Sequence, residues 1–196
     1  MPKYDALSFF YAWLFNPHRV GAIAPSGTAL ADVMTREIDP TLAPIIELGP
    51  GTGVFTRALL GRGLRETDLT LVEANPEFAK MLQGRFPQAR ILCMDAARLG
   101  ESGWFENAPV GAVVSGLPLL NMSPKTVMSI MAGAFSHLRP GGAFYQFTYG
   151  PRCPVPRPFL DRLGLKAVRV GGALLNVPPA SVYRVTRRAP SKWIGG

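Results

Sequence analysis

Ile45-Ile46-Glu47-Leu48-Gly49-Pro50-Gly51-Thr52-Gly53-Val54-Phe55 decides how the rest of the chain is read. An apolar run ends in an acid, three glycines follow at alternate positions, and an apolar helical pattern then runs from Phe55 until Gly61 stops it. A short apolar run bounded by turn residues reads as a buried strand, and the spacing after it predicts a helix. Alternating glycines let the backbone turn sharply and let a ligand approach amides that a side chain would block. The helix start adds unpaired N–H groups and a positive partial charge, which suits an anionic ligand group.

Spacing narrows the ligand. A dinucleotide fingerprint needs G-x-G-x-x-G, whereas the pattern here is G-x-G-x-G preceded by Glu47, and no triphosphate loop G-x-x-x-x-G-K-[ST] occurs. Residues 69–73, Leu-Thr-Leu-Val-Glu, predict a second strand ending in Glu73, where a ribose diol would find its acceptor. Residues 91–94 predict a third strand ending before Asp95, placed to accept from an adenine amino group. Each acid taken singly is as well explained as a helix cap or a surface charge. Turn, Glu73 and Asp95 in this order resemble the class I S-adenosylmethionine-dependent methyltransferases. The resemblance implies S-adenosylmethionine as cofactor, held by Pro25, Ser26, Glu47, Gly49, Gly51, Glu73, Ala74, Asp95, Ala96 and Ser115.

The alternation of strands and helices continues. Residues 76–86 predict a helix opened by Asn75-Pro76, residues 110–115 a fourth strand, 124–138 a helix, and 143–149 a fifth strand after the turn Arg139-Pro140-Gly141-Gly142. A proline-rich connector over 151–158 leads to two more strands, near 166–170 and 181–186. Successive βα units imply an α/β, Rossmann-like fold: a mostly parallel seven-stranded sheet with helices on both faces. At 196 residues and 47% apolar content the chain fits one such domain, expected over 26–196. Cys93 and Cys153 suggest neither a zinc site nor a disulfide, no metal is expected, and reduced thiols fit a cytoplasmic protein.

Residues 1–25 are expected to form an N-terminal interfacial helix and a lid segment. At helical spacing Tyr4, Leu7, Tyr11, Leu14 and Phe15 make one apolar stripe, leaving Phe9, Phe10 and Trp13 on other sides. A core helix, a signal core and an amphipathic helix lying on a membrane all compete for this stretch. Asp5 and the bulky aromatics disfavour a signal, and about a dozen helical residues, roughly 18 Å, are too short to span a bilayer. Phe and Trp favour the interface. The segment Arg19 to Gly27 reads as a loop able to close over a cofactor, with Ser26 alternatively the N-cap of a helix over 28–38.

Charge is uneven. From Arg139 onward ten Lys or Arg face only Asp161, whereas residues 1–138 hold eleven against twelve acids. That basic third suggests either a polyanionic partner, an acidic lipid surface or nucleic acid, or simply a solvated face.

The methyl acceptor should sit where the fourth strand ends, at Ser115-Gly116-Leu117-Pro118-Leu119-Leu120-Asn121. Methyltransferases of amino nitrogen commonly carry there a polar residue, two variable positions with proline, and an aromatic. Ser115 and Pro118 are present and the aromatic is not, so a flipped base would lack its stacking partner. Carbonyls of Ser115 and Gly116 are candidates to orient an amine. Tyr149 could accept a hydrogen bond or face a methylated cation, or simply pack at the strand end. His18 is a poor candidate base, and no general base is evident. Gly-Ala-Ile-Ala-Pro-Ser over 21–26, the glycine turn, Val-Val-Ser-Gly-Leu-Pro-Leu-Leu-Asn over 113–121, Gln146-Phe147-Thr148-Tyr149 and Asn176-Val177-Pro178-Pro179-Ala180 together resemble the small bacterial phospholipid N-methyltransferases. That resemblance implies methylation of phosphatidylethanolamine and its mono- and dimethyl derivatives toward phosphatidylcholine, by a protein peripherally attached to the cytoplasmic membrane, with no nucleic acid partner. Arg19 and Arg184 are candidates for the headgroup phosphate. An rRNA adenine N6-dimethyltransferase and a non-catalytic lipid-binding protein remain as rivals.

Overall fold

The computed structural model describes residues 24–101, 109–173 and 179–189. Phe9, Phe10, Trp13, Arg19 and the expected interfacial helix lie outside them. In chain order come α1 (Ala24–Thr35), β1 (Ile45–Leu48), α2 (Val54–Gly61), β2 (Leu69–Glu73), α3 (Pro76–Arg85), β3 (Arg90–Cys93), β4 (Val110–Ser115), α4 (Pro124–His137), β5 (Leu138–Tyr149), α5 (Arg157–Arg162), β6 (Leu165–Ala173) and β7 (Ala180–Arg187). The strands form one seven-stranded sheet in the order β3-β2-β1-β4-β5-β7-β6. Only β7 runs against the others, pairing antiparallel with both β5 and β6.

The central strands are buried on both faces, and this is why they read as continuous apolar runs. Along β1, Ile45 joins the core under α1, α2 and α3 with Leu30, Phe55 and Leu82, while Ile46 joins the opposite core with Ile130, Phe135 and Leu160. Side chains alternate between faces along a strand, so one short sequence feeds two cores.

Helix starts follow their caps. The Asn75 side chain accepts from Glu77 N–H and Phe78 N–H, and Pro76 occupies the first turn of α3. Ser123 does the same for α4, accepting from Thr126 N–H with Pro124 behind it. In both places proline gives up an N–H that has no intrahelical partner anyway.

Three differences from the sequence reading matter most. Helix α1 starts at Ala24, not near residue 28, so Pro25 and Ser26 lie within its first turn and Ser26 is not the N-cap. Proline tolerates that first turn, and nothing in the sequence marked the earlier start. Strand β5 begins at Leu138: Val110 pairs with Leu138 and Ala112 with Ala143, so residues 139–142 form a bulge within the strand. The last two residues of the proline-rich connector begin α5, which runs on to Arg162, and Pro158 sits in its first turn and opens the helix instead of excluding it.

Candidate active site

Parallel pairing brings the ends of β1, β2, β4 and β5 to one edge. Leu48 pairs with Val72 on one side and Ser115 on the other, and Ser115 pairs with Gln146. The residues just beyond this row are therefore Gly49, Glu73, Gly116 and Phe147.

The glycine turn is held by that row. Gly49 N–H donates to Val72 O at 2.9 Å and Gly116 N–H to Leu48 O at 2.8 Å. Gly49, Gly51 and Gly53 have φ of 64°, 53° and 77°, a region that side-chain-bearing residues adopt at a cost. Close approach is a second constraint: a Cβ on Gly49 would stand 2.6 Å from Leu117 Cδ2, and one on Gly116 2.7 Å from Gly49 O. The two loops that should flank a transferable group are thus packed directly on each other.

Glu73 ends β2 nearly buried, and its carboxylate spans the turn. One oxygen accepts from Gly51 N–H at 3.1 Å and the other from Asn75 N–H at 2.9 Å. These bonds aim the acid at the glycine turn and leave lone pairs for a diol. Ala74 follows it at the sheet edge. Asp95 is exposed after β3; its Oδ1 accepts from Ala97 N–H at 2.9 Å, so the capping reading of this acid holds alongside any ligand role. Ala96, buried, starts the short helical turn that Asp95 caps.

Glu47 is fully buried one residue before the end of β1. Its Oε2 accepts from Thr56 Oγ at 2.7 Å, and its Oε1 has no partner. Desolvation pushes the carboxyl up to about 7, against the lowering effect of the Thr56 bond.

On the other side of the turn Ser115 is buried and its hydroxyl accepts from Leu117 N–H at 3.3 Å. A cleft of about 100 Å³ opens between residues 117–121, residues 147–149 and Pro154. Tyr149 stands edge-on to Phe147 at 5.5 Å between ring centroids, and Phe147 edge-on to Phe55 at 5.9 Å. Burial raises the Tyr149 phenol above its ordinary range, which keeps it a neutral hydroxyl. Leu120 at the mouth of the cleft is 62% exposed, one of two large apolar side chains so exposed among the described residues.

Glu47, Gly49, Gly51, Glu73, Ala74, Ser115 and Gly116 are thus gathered on one edge, with Asp95, Ala96 and Tyr149 on its flanks. Arg184 is not brought there. It pairs on β7 with Tyr145, four residues below the Tyr149–Ala180 pair and so roughly 13 Å down the strand. Its guanidinium donates to Glu37 at 2.9 Å, and Tyr145 donates to the same carboxylate oxygen at 3.2 Å. The sequence could not reveal that partner, and it makes Arg184 a structural tie to the segment after α1. Thr148, which lines the cleft, and Gln146, whose amide donates to Leu117 O, were quoted in the sequence only as part of a motif. Their polarity within an otherwise apolar strand was the available signal.

Among the described residues no group of His, Cys, Asp or Glu could hold a metal ion, and no helix is long and apolar enough to cross a membrane.

Residues 45–142 match the model of a family described as a methyltransferase domain. An ornithine lipid N-methyltransferase of Singulisphaera acidiphila is 27% identical over 184 residues, which cover 89% of this chain and 93% of that protein. A ribosomal RNA small subunit methyltransferase A of Maridesulfovibrio salexigens is 39% identical over 59 residues, covering 30% of this chain and 22% of its own length. Among solved structures, the glycopeptide N-methyltransferase MtfA complexed with S-adenosyl-L-methionine aligns with a TM-score of 0.62 and 14% identity, over 83% of this chain and 94% of that one. A TehB-like SAM-dependent methyltransferase from Corynebacterium glutamicum aligns at 0.61 with 18% identity, over 93% and 99%. The solved structures share the fold.

Proposed function

Since the chain belongs to the methyltransferase-domain family, we propose that it methylates the amino nitrogen of phosphatidylethanolamine and its mono- and dimethyl derivatives, using S-adenosylmethionine, at a membrane surface. When bound, that cofactor would supply an electrophilic methyl group, which the amine nitrogen would take as the C–S bond gave way and its pair stayed on sulfur. The residues present fit that cofactor. Glu73 is held by Gly51 and Asn75 N–H groups with lone pairs to spare for the ribose hydroxyls. Asp95 keeps one carboxylate oxygen beyond its cap bond for the adenine amine, and Glu47 Oε1 is a buried acceptor below the turn for an ammonium group. Ser26 and Pro25 at the start of α1 belong to the same site in this reading.

The observation that carries the lipid reading is the wall of the acceptor cleft. Residues 117–120 are Leu-Pro-Leu-Leu where an adenine-methylating enzyme would present an aromatic platform, and Leu120 projects to solvent at its mouth. Such a lip suits the glycerol and acyl portion of a lipid. A near full-length relative named for an ornithine lipid supports an amino-lipid acceptor, whereas the likeness to the rRNA enzymes covers only 30% to 38% of this chain.

An ethanolamine nitrogen is mostly ammonium at neutral pH and cannot attack in that form. Transfer from water into this apolar cleft lowers its pKa and favours loss of the proton. The Ser115 to Leu117 turn positions the amine against the cofactor side of the edge, so most of the rate gain comes from placement. Tyr149, kept neutral by burial, does not serve as a base; its hydroxyl and ring face the accumulating methyl groups. Phe9, Phe10 and Trp13 anchor the protein to the bilayer, and Arg19 is the remaining candidate for the headgroup phosphate.

The acceptor assay tests this. With radiolabelled S-adenosylmethionine, label should enter lipid in vesicles of phosphatidylethanolamine and an acidic phospholipid, and not under-methylated ribosomal RNA. Transfer to RNA alone would replace the lipid assignment with the rRNA one.

A further inference from the structure

Three buried side-chain oxygens among the described residues have no hydrogen-bond partner: Glu47 Oε1, Gln146 Oε1 and Thr148 Oγ. Two of the three sit on one face of β5, two residues apart, at its carboxyl end. Leaving a buried hydroxyl unpaired costs roughly 1–3 kcal/mol, so its position against a ligand cleft needs a reason. Thr148 is 4% exposed and lines the cleft between residues 117–121 and Pro154. The neighbouring Gln146 amide is fixed: its Nε2 donates to Leu117 O at 2.9 Å and to Phe147 O at 2.8 Å, which ties the β4 loop to β5 just below Thr148. Leu117, Pro118, Phe147 and Pro154 contribute mainly apolar surface around it.

We propose that Thr148 Oγ is the hydrogen-bond acceptor for an N–H of the incoming amine. The proposal rests on the reading of this cleft as the acceptor site. A neutral primary amine moved out of water carries two N–H donors that each need an acceptor, while its lone pair must stay free to attack. A threonine hydroxyl accepts such a donor without taking the proton, so it orients the nitrogen and leaves the lone pair available. The consequence depends on the methylation step. A primary amine has two N–H groups, a secondary amine one, and a tertiary amine none once deprotonated. Thr148 therefore assists the first and second transfers and gives nothing to the third, a pattern that a purely structural role would not produce.

The test presents the full-length protein with vesicles of phosphatidylethanolamine, its monomethyl form or its dimethyl form as separate substrates. In parallel it offers phosphoethanolamine and its two N-methyl derivatives in solution. Thr148→Val, nearly isosteric, should lower kcat about tenfold on the primary and secondary lipid amines and by less than about twofold on the tertiary one. Thr148→Ser, which restores the hydroxyl, should recover the first two. Equal loss at every step, or loss at none, overturns the assignment and leaves the lipid reading intact. The same step-dependent loss seen only with the soluble amines would uphold Thr148 and overturn the lipid reading. No methylation of any amine by the unsubstituted protein would overturn both.

Discussion

Beneath the glycine turn, Glu47 has lost all contact with water and receives one side-chain hydrogen bond in return, from Thr56. Desolvation raises its carboxyl from 4.5 to about 7, so between those values the folded state holds a proton that the unfolded chain has released. Stability contributed by this group is therefore complete below its unfolded pKa and is lost as pH rises through about 7. Glu47→Gln removes the titration. Urea unfolding at about pH 5 and about pH 8 should show the parent losing on the order of 2 to 3 kcal/mol more than the variant, and identical losses would contradict the burial argument. At this scale legibility was uneven. Glu73 was readable because a strand end and a glycine turn are local patterns. Arg184 was not, because its partner Glu37 lies 147 residues away and only the folded sheet brings them together. Thr148 was legible only in part: its polarity within an apolar strand could be seen, and its lack of a partner could not.

Elements were legible wherever period and cap agreed. Strand β4 has the expected bounds, and α3 and α4 start at the prolines that the sequence marked. Two of the errors sit where one signal has two meanings. Proline marked α5 as a connector although it also opens helices, and a Pro-Gly-Gly turn became a bulge inside β5 instead of ending a helix before a new strand. Close helix packing gives a further prediction. Gly133 lies inside α4, where alanine is ordinarily better by about 1 kcal/mol, yet its Cβ would meet Gly100 N at 2.7 Å. Gly133→Ala should therefore destabilise by roughly 1 to 3 kcal/mol in thermal or chemical unfolding, and a gain in stability would refute that contact. The N-terminal segment is tested on its own terms. Phe9→Ala with Trp13→Ala should reduce sedimentation with acidic liposomes while affinity for S-adenosylmethionine in solution is kept, and unchanged sedimentation would assign that segment to another role.

Across the whole molecule the basic C-terminal third has a more internal use than its charge implied. Arg139 donates to Thr41 O, and Arg187 donates to Phe135, Leu138 and Arg139 carbonyls while lying 5.5 Å from the Phe135 ring centroid. Arg157 and Arg188 share Asp161, and Arg184 takes Glu37. These contacts tie β7 and the residue after it to α4, α5, the start of β5 and the segment after α1. Only Glu37 and Asp161 offset part of the charge there, because a carbonyl partner leaves a guanidinium cationic, and Arg152, Arg162, Lys166 and Arg169 add to it among the described residues. What organises function is instead the edge at which β1, β2 and β4 end together. Its occupancy is the claim on which substrate, acceptor cleft and methyl transfer all depend. Isothermal titration with S-adenosylmethionine should show one site per chain, weakened by roughly tenfold or more in Glu73→Ala. Absence of binding to the unsubstituted protein, or affinity undiminished by that substitution, would contradict it.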